Sequence, residues 1–511
     1  MSRSAFILLF FYICCFPGCS TWGKNDESGQ GKTISGSGKK QTLIIKDSEG
    51  VPRWRATLRA HKFEMLNPRV GFPGISPDFR HFAFGRWSYE KKEAIRTVID
   101  GKEGKEYDSI GECGFSPDSK RFFYAAEENE EYFIVLDGKE GPRYEEEILY
   151  IVFSPDSKRI AYRAERDDKE FVVLDGKEFM SHEFQMEDIF FSPDSRHFVH
   201  CGRDNQATTL YLDGRKVASA SELKYCTLTL FSPDSQKLFY KYKKDRKWFA
   251  VFGKEEFGPF DEVEHILAQI SPDSKRIAFP AKRGDDWFMV TSSKEYGLYE
   301  NWCGGPLFSP DSKRLVFSAC VKGRKVAVLL DGKQGDVFDS IQHKTFSPDG
   351  RHFAMSAKRD GKYHLIVDGV KKYEYDFIGD VLYSPDSKRL ATTARKGDKS
   401  FVVVDGREGK SYDNIRRAYF SPDSKHLAYW AGVEAEKETI LVIDGHETLR
   451  FKGSTWPVHF TDDNRIRSAA FHYIGQDSPK PIEQHSQESF RKEIQNVRVV
   501  LFEMREIDEK K

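Results

Sequence analysis

The sequence carries no net charge: 80 basic residues balance 80 acidic ones over 511 positions. A chain so balanced exerts no global pull on nucleic acid or anionic lipid, and any electrostatic preference must come from how its charges are arranged. No nucleic-acid partner is therefore expected. Cysteine is sparse. Cys14, Cys15 and Cys19 sit near the start, and no two of Cys113, Cys201, Cys226, Cys303 and Cys320 form a Cys-x-x-Cys pair. Spacing thus suggests neither a disulfide framework nor a zinc site, although an isolated pair could still bridge where the fold brings it together. The Gly-x-Ser-x-Gly turn that presents a hydrolase nucleophile is missing. "GQGKT" at 29–33 is no phosphate loop, because Asp26 stands where the loop needs its first glycine. No stretch of the repeated region looks like a long amphipathic helix. No cofactor, metal or catalytic residue is assigned.

What is present is a repeat. "FSPDSKR" at 115–121 returns as "FSPDSKRIAY" at 153, "ISPDSKRIAF" at 270, "YSPDSKRLAT" at 383 and "FSPDSKHLAY" at 420. Its proline falls at 77, 117, 155, 193, 233, 272, 310, 348, 385 and 422, at spacings of 37 to 40 residues, and "FTDDNRIRSAAF" at 460 is a weaker eleventh copy. A period in this range means an array of supersecondary units. We number them repeats 1 to 11.

The local chemistry makes each copy a pair of hairpins. Proline suits the second position of a type I turn, Ser and Asp side chains bond nearby backbone, and the fourth position tolerates the left-handed region. An apolar run precedes the turn and an alternating run follows it. Asp-Gly at 100, 137, 175, 213, 331, 368, 405 and 444 marks a second, two-residue hairpin. Each repeat thus reads as four short antiparallel strands, a to d.

These residues resemble the WD40-like repeats of TolB, the tricorn protease and related β-propellers, which share the Ser-Pro-Asp-(Gly/Ser)-(Lys/Arg) turn. The resemblance covers about 42–475. It implies an all-β propeller fold of about eleven four-stranded blades. Propellers usually carry four to eight blades, so two packed propellers are expected, over 42–270 and 271–505, with one large ring as the alternative. "TLIIKDSEGVPRW" at 42–54 is expected to supply strands c and d, and "VRVVLFEM" at 497–504 a detached strand c, each completing a blade from the other end.

The N-terminus reads as a targeting segment. Arg3 precedes the apolar run "AFILLFFYICCF" at 5–16, which is too short to span a bilayer but suits a signal-peptide core. "FPGCS" at 16–20 resembles a bacterial lipoprotein box: Gly18 and Cys19 fit, while Phe16 and Pro17 depart from the usual Leu and small residue. The expectation is a signal peptide over 1–18, lipidation of Cys19, a flexible tether over 19–41 and a charged tail at 506–511. The protein is then exported to the periplasm or cell surface and touches the membrane through its lipid alone.

Site candidates come from the loops between strands b and c, which differ most among repeats. Loops on a rigid scaffold are where recognition usually resides. "KYKKDRK" at 241–247 carries net +4 and contributes Lys243, Lys244 and Arg246. "VKGRK" at 321–325 carries +3, with Lys322, Arg324 and Lys325. Lys358 and Arg359, and Arg395 and Lys396, come from two further loops of net +2, at 357–362 and 394–399. "AAEENEE" at 125–131 is instead −4. Trp87, Trp302 and Trp456 fall outside the repeat register and are candidate aromatic contacts. His81, His197, His352 and His426 share one repeat position with Arg121, Arg159, Arg276, Arg314 and Arg389. A metal ligand would not exchange with permanently charged arginine. The functional expectation is a non-catalytic platform for a protein partner or an anionic polymer of the cell envelope. The alternative is a glycan lyase or hydrolase with its site in a propeller channel.

Overall fold

The structure is a computed structural model. It describes residues 40–507 except 47–51, 64–73, 88–93, 168, 183, 205–206, 221–229, 265–266, 322, 324, 437, 453–454 and 474–496. The described residues are all-β, in eleven antiparallel sheets, one for each repeat. Repeat 3 shows the plan: strands Leu149–Phe153, Ile160–Arg166, Lys169–Leu174 and Lys177–His182 pair in chain order. No helix among the described residues is long and apolar enough to cross a membrane.

Two turns make each sheet. In the a–b turn, Ser119 N–H donates to Ser116 O at 2.8 Å across Pro117-Asp118. The Ser116 hydroxyl donates to Asp118 and accepts from Arg121 N–H. All ten Ser-Pro-Asp copies repeat the hydroxyl–carboxylate bond at 2.5–2.7 Å. In the c–d turn Asp137 and Gly138 both take positive φ, 53° and 78°. That geometry matches the twist of paired strands, and Asp and Gly tolerate it.

The fourth turn residue does more than turn the chain. Ser157 Oγ, held at φ 64°, accepts Asp118 N–H of the preceding repeat at 2.9 Å. The same bond joins Asp156 to Ser195, Asp194 to Ser235, Asp234 to Ser274, Asp273 to Ser312 and Asp349 to Ser387. This explains serine where glycine would turn more easily. Gly350 departs from serine, as do Phe79 in repeat 1 and Asn464 in repeat 11, and a Cβ at Gly350 would lie 2.8 Å from the Asp311 carboxyl. Arginine adds a second tie: Arg121 donates to Lys158 O at 3.1 Å, and its guanidinium lies over Phe153.

The apolar faces of successive sheets pack on each other, so the core is a series of layers between repeats. Phe239, Phe252 and Phe260 of repeat 5 meet Ile277 and Phe279 of repeat 6. Phe338 and Val328 of repeat 7 meet Phe353 and Ile366 of repeat 8. The aromatics that open several c strands belong to these layers: Trp287 and Phe401 are buried, and Tyr132, Phe171, Trp248 and Tyr363 pack partly buried.

Backbone contacts divide the described residues into two compact units, 107–396, and 40–106 with 397–507. The second unit joins both ends of the chain because its closing sheet takes strands from each. That sheet runs His459–Phe460, Ile466–Tyr473, Val497–Glu506, Pro52–Phe63, Lys40–Lys46. The C-terminal strand is the detached strand c, paired with Ile466–Tyr473 on one side and over ten residue pairs with Pro52–Phe63 on the other. The N-terminal hairpin is not strands c and d, as its sequence suggested. It supplies strand d and a fifth, outer strand, because the C-terminal segment already fills c.

The fold also holds the kind of cysteine bridge that spacing left open. Cys201 and Cys320 each take part in a disulfide, while Cys113 is a free thiol.

Candidate functional site

The turn aspartates are spoken for. The Ser347 hydroxyl bond holds the Asp349 carboxyl below the usual range, and the other copies are built alike. No three metal-ligating side chains cluster among the described residues. The shared His/Arg position is a staple between the two turns. His81, His197, His352 and His426 contact Asp100, Asp213, Asp368 and Asp444 through Nδ1 at 2.6–2.7 Å, and Arg121 and Arg159 reach Asp137 and Asp175. The a–b and c–d turns therefore form one locked end of each repeat.

The opposite end carries the b–c loops. Here the candidate cations separate. Lys244, Arg246, Arg395 and Lys396 are exposed. Lys325 is ion-paired with Asp339, whose second oxygen accepts Asp360 N–H of the next repeat at 3.0 Å. Lys362 and Lys399 pair likewise with Asp376 and Asp413. Lys243 and Lys358 lie 5.8 and 5.7 Å from the centroids of Trp248 and Tyr363. Lys322, Arg324 and Cys19 lie outside the described residues, as do the side chains of Trp87 and Trp302. Trp456 is half-buried against Phe82 and Phe84, and its carbonyl accepts Trp430 Nε1–H at 2.9 Å, which gives it a packing role.

Arg359 leads into a cleft. The cleft measures about 280 Å³ and runs along strand c of repeat 8, Lys362–Val367, beside strand d of repeat 7, Lys333–Phe338. Phe338 and Ile366 form its apolar lining; Asp336, Asp360 and Glu374 face Arg359, Lys362 and Lys371. His364 lines it too. The residue is only 9% exposed, and its Nδ1 makes no hydrogen bond, with Glu374 Oε2 3.5 Å away. Native proteins rarely leave a buried polar atom so placed.

Sequence reasoning passed over His364 and Lys371, yet the repeat itself flags them. The position that pairs with the middle of strand b holds Phe133, Phe171, Phe249 and Phe288 in repeats 2, 3, 5 and 6, and His364 in repeat 8. Three residues past the first c–d turn residue stand Glu103, Glu140, Glu178, Glu256, Glu295, Glu408 and Glu447, but Lys216 in repeat 4, Gln334 in repeat 7 and Lys371 in repeat 8. In repeats 3 and 6 that glutamate grips the arginine ending strand b, Arg166–Glu178 at 2.8 Å and Arg283–Glu295 at 2.7 Å. In repeat 8 the arginine, Arg359, turns instead to Asp336 at 3.2 Å and Val337 O at 2.9 Å, over the Phe338 ring. Lys371 pairs with Glu374, which holds that carboxyl below its usual range. Two departures thus meet in one cleft.

No protein-family profile matches the chain, and no curated protein matches it. Among solved structures it is similar to a crystal structure described as the eukaryotic initiation factor, at 11% identity and TM-score 0.37 over 81% of this chain and 96% of that one. It is similar to the dihydro-heme d1 dehydrogenase NirN at 14% identity and TM-score 0.30, over 59% and 72% of the two chains. Hydrazine synthase of Kuenenia stuttgartiensis matches at 17% identity and TM-score 0.23, over 42% and 75%. These distant likenesses carry no argument about activity. The fold rests on the sheets themselves: an all-β array of eleven antiparallel sheets of β-propeller blade type.

Proposed function

We propose that this chain is a non-catalytic, exported binding platform whose b–c end docks an anionic polymer of the cell envelope. The observation that carries the reading is the difference between the two ends of each repeat. The a–b and c–d turns are near-identical and tied to their neighbours. The b–c loops vary, and in repeats 5 and 9 they leave Lys244, Arg246, Arg395 and Lys396 exposed. Exposed cations on a rigid frame attract polyanions through a field that salt screens. The TolB-like repeat resemblance supports an extracytoplasmic setting. So do the bonded cysteines, since disulfides persist in oxidising compartments.

The test is capture on immobilised polygalacturonate across a salt series. Reversal of Lys244, Arg246, Arg395 and Lys396 to Glu lowers capture and flattens its salt dependence while the fold persists. Capture unchanged by the reversals ends this reading, and selective cross-linking to one protein in cells replaces the polymer by a protein partner. Anchoring is tested separately. Cys19→Ser releases the protein from membranes and abolishes labelling by a fatty-acid probe; a wild-type protein that is soluble and unlabelled excludes the lipid.

One observation favours the enzyme alternative. Burial pushes the Glu112 carboxyl up, with the Glu147 charge adding to it. A raised carboxyl is what a general acid needs. Turnover of an envelope polymer that Glu112→Gln abolishes would establish it.

A further inference from the structure

The cleft of repeat 8 contains the ingredients for one small, hydroxylated anion, and the geometry points to a seat for a single acidic sugar unit. The inference rests on the reading of an anionic envelope polymer as partner and names the part of it that is recognised. Three features of the lining carry it. The cleft holds about 280 Å³, near the lower end of ligand-pocket volumes, which suits one monosaccharide rather than a chain. Its polar groups are of both kinds: Arg359, Lys362 and Lys371, ion-paired with Asp336, Asp376 and Glu374, keep further N–H donors for an oxyanion, and Asp336, Asp360 and Glu374 offer acceptors for hydroxyl groups. Phe338 and Ile366, both buried, form its apolar floor, with the Arg359 guanidinium over the Phe338 ring. A plain inorganic anion would leave the acceptors unused, and a neutral sugar would leave the cations unused.

His364 is the independent observation. Its Nδ1 is buried, lacks a hydrogen bond, and lies in the lining of the cleft. Phenylalanine fills the equivalent place in several other repeats, so the fold does not require a polar atom there. A ligand hydroxyl or carboxylate oxygen in the cleft would satisfy it. Lys371 strengthens the case. The glutamate usual at its position would close on Arg359, as Glu178 and Glu295 close on Arg166 and Arg283. Lysine instead pairs with Glu374, while Arg359 pairs with Asp336 and keeps further N–H groups to offer an oxyanion.

Galacturonate, glucose 6-phosphate, glucose and inorganic phosphate are titrated into the full chain by calorimetry, with ligand-detected NMR as a second readout. Saturable binding of galacturonate or glucose 6-phosphate, at least tenfold tighter than that of glucose and of inorganic phosphate, supports the seat. Whichever of the two binds tighter assigns carboxylate or phosphate as the oxyanion. His364→Phe and Lys371→Glu, which restore residues used elsewhere in the repeat, retain the fold and weaken binding at least tenfold. Absence of saturable binding by both sugar anions overturns the inference, as does undiminished binding by His364→Phe. If polygalacturonate is captured through the b–c cations while neither monomer binds, the seat fails and the platform stands. If the monomer binds through His364 but the polymer is not captured, the seat stands without the platform.

Discussion

Replacing Ser157 separates two roles that one residue combines. Its hydroxyl accepts the Asp118 N–H of the preceding repeat at 2.9 Å, and its backbone sits at φ 64°. Ser157→Ala removes the acceptor and keeps the strained φ. The stranded N–H costs about 1–2 kcal/mol, toward the lower part of the range for an unsatisfied buried group, because the contact is only part-buried. Ser157→Gly also removes the acceptor but relieves about 1 kcal/mol of left-handed strain. The two variants should therefore differ by about 1 kcal/mol, with glycine the more stable, and Gly350 shows that the fold accepts this solution once. Urea titration followed by tryptophan fluorescence measures both. If Ser157→Ala is as stable as the parent, the clip between repeats contributes nothing; if Ser157→Gly is the weaker of the two, the strain argument fails.

Two further outcomes follow from the turns and staples. Pro155→Ala costs on the order of 0.5–1 kcal/mol through the freer unfolded chain. Asp175→Leu costs more, because Asp175 sits at φ 54° and its two oxygens accept Ile160 N–H at 3.0 Å and Arg159 Nε–H at 3.1 Å; equal denaturation midpoints for these two variants would refute the hairpin role. The bond to Asp444 raises the pKa of His426 above its ordinary value, with Glu506 adding to it. The staple's contribution is then fully present below about pH 6.5, the unfolded value, and is lost as pH rises through the folded one. The stability advantage of the parent over His426→Gln should shrink as pH rises above the unfolded value of about 6.5; a gap that widens contradicts the assignment.

Most of the fold was legible because the repeat writes its turns in residues with fixed conformational uses. Ser-Pro-Asp and Asp-Gly announce both hairpins, and the positive φ of Ser157 and Asp175 bears this out. The role of Ser157 as an acceptor for another repeat was not legible, since it depends on how two sheets pack. The N-terminal hairpin was misplaced for a related reason. Alternation shows that 40–63 is strand, but the partner of Pro52–Phe63 lies at Val497–Glu506, far along the chain. Candidate cations read from net loop charge proved unequal, because Lys325 is taken by Asp339, a residue of another loop. His364 and Lys371 were visible in principle. Comparing repeats position by position, rather than searching for motifs, exposes both.

The measurement that bears most directly on the account is a paired charge reversal at the two ends of the repeats. One variant reverses Lys244, Arg246, Arg395 and Lys396 at the b–c end. The other reverses Lys120, Lys158, Lys313 and Lys388 in the a–b turns, whose side chains are 80–82% exposed and so equally open to solvent. Both have the same net charge, and both are assayed for polygalacturonate capture from low to high salt. The account predicts that the first loses capture and salt dependence while the second keeps most of both. Equal loss in the two variants would show that charge alone, and not the b–c end, governs binding.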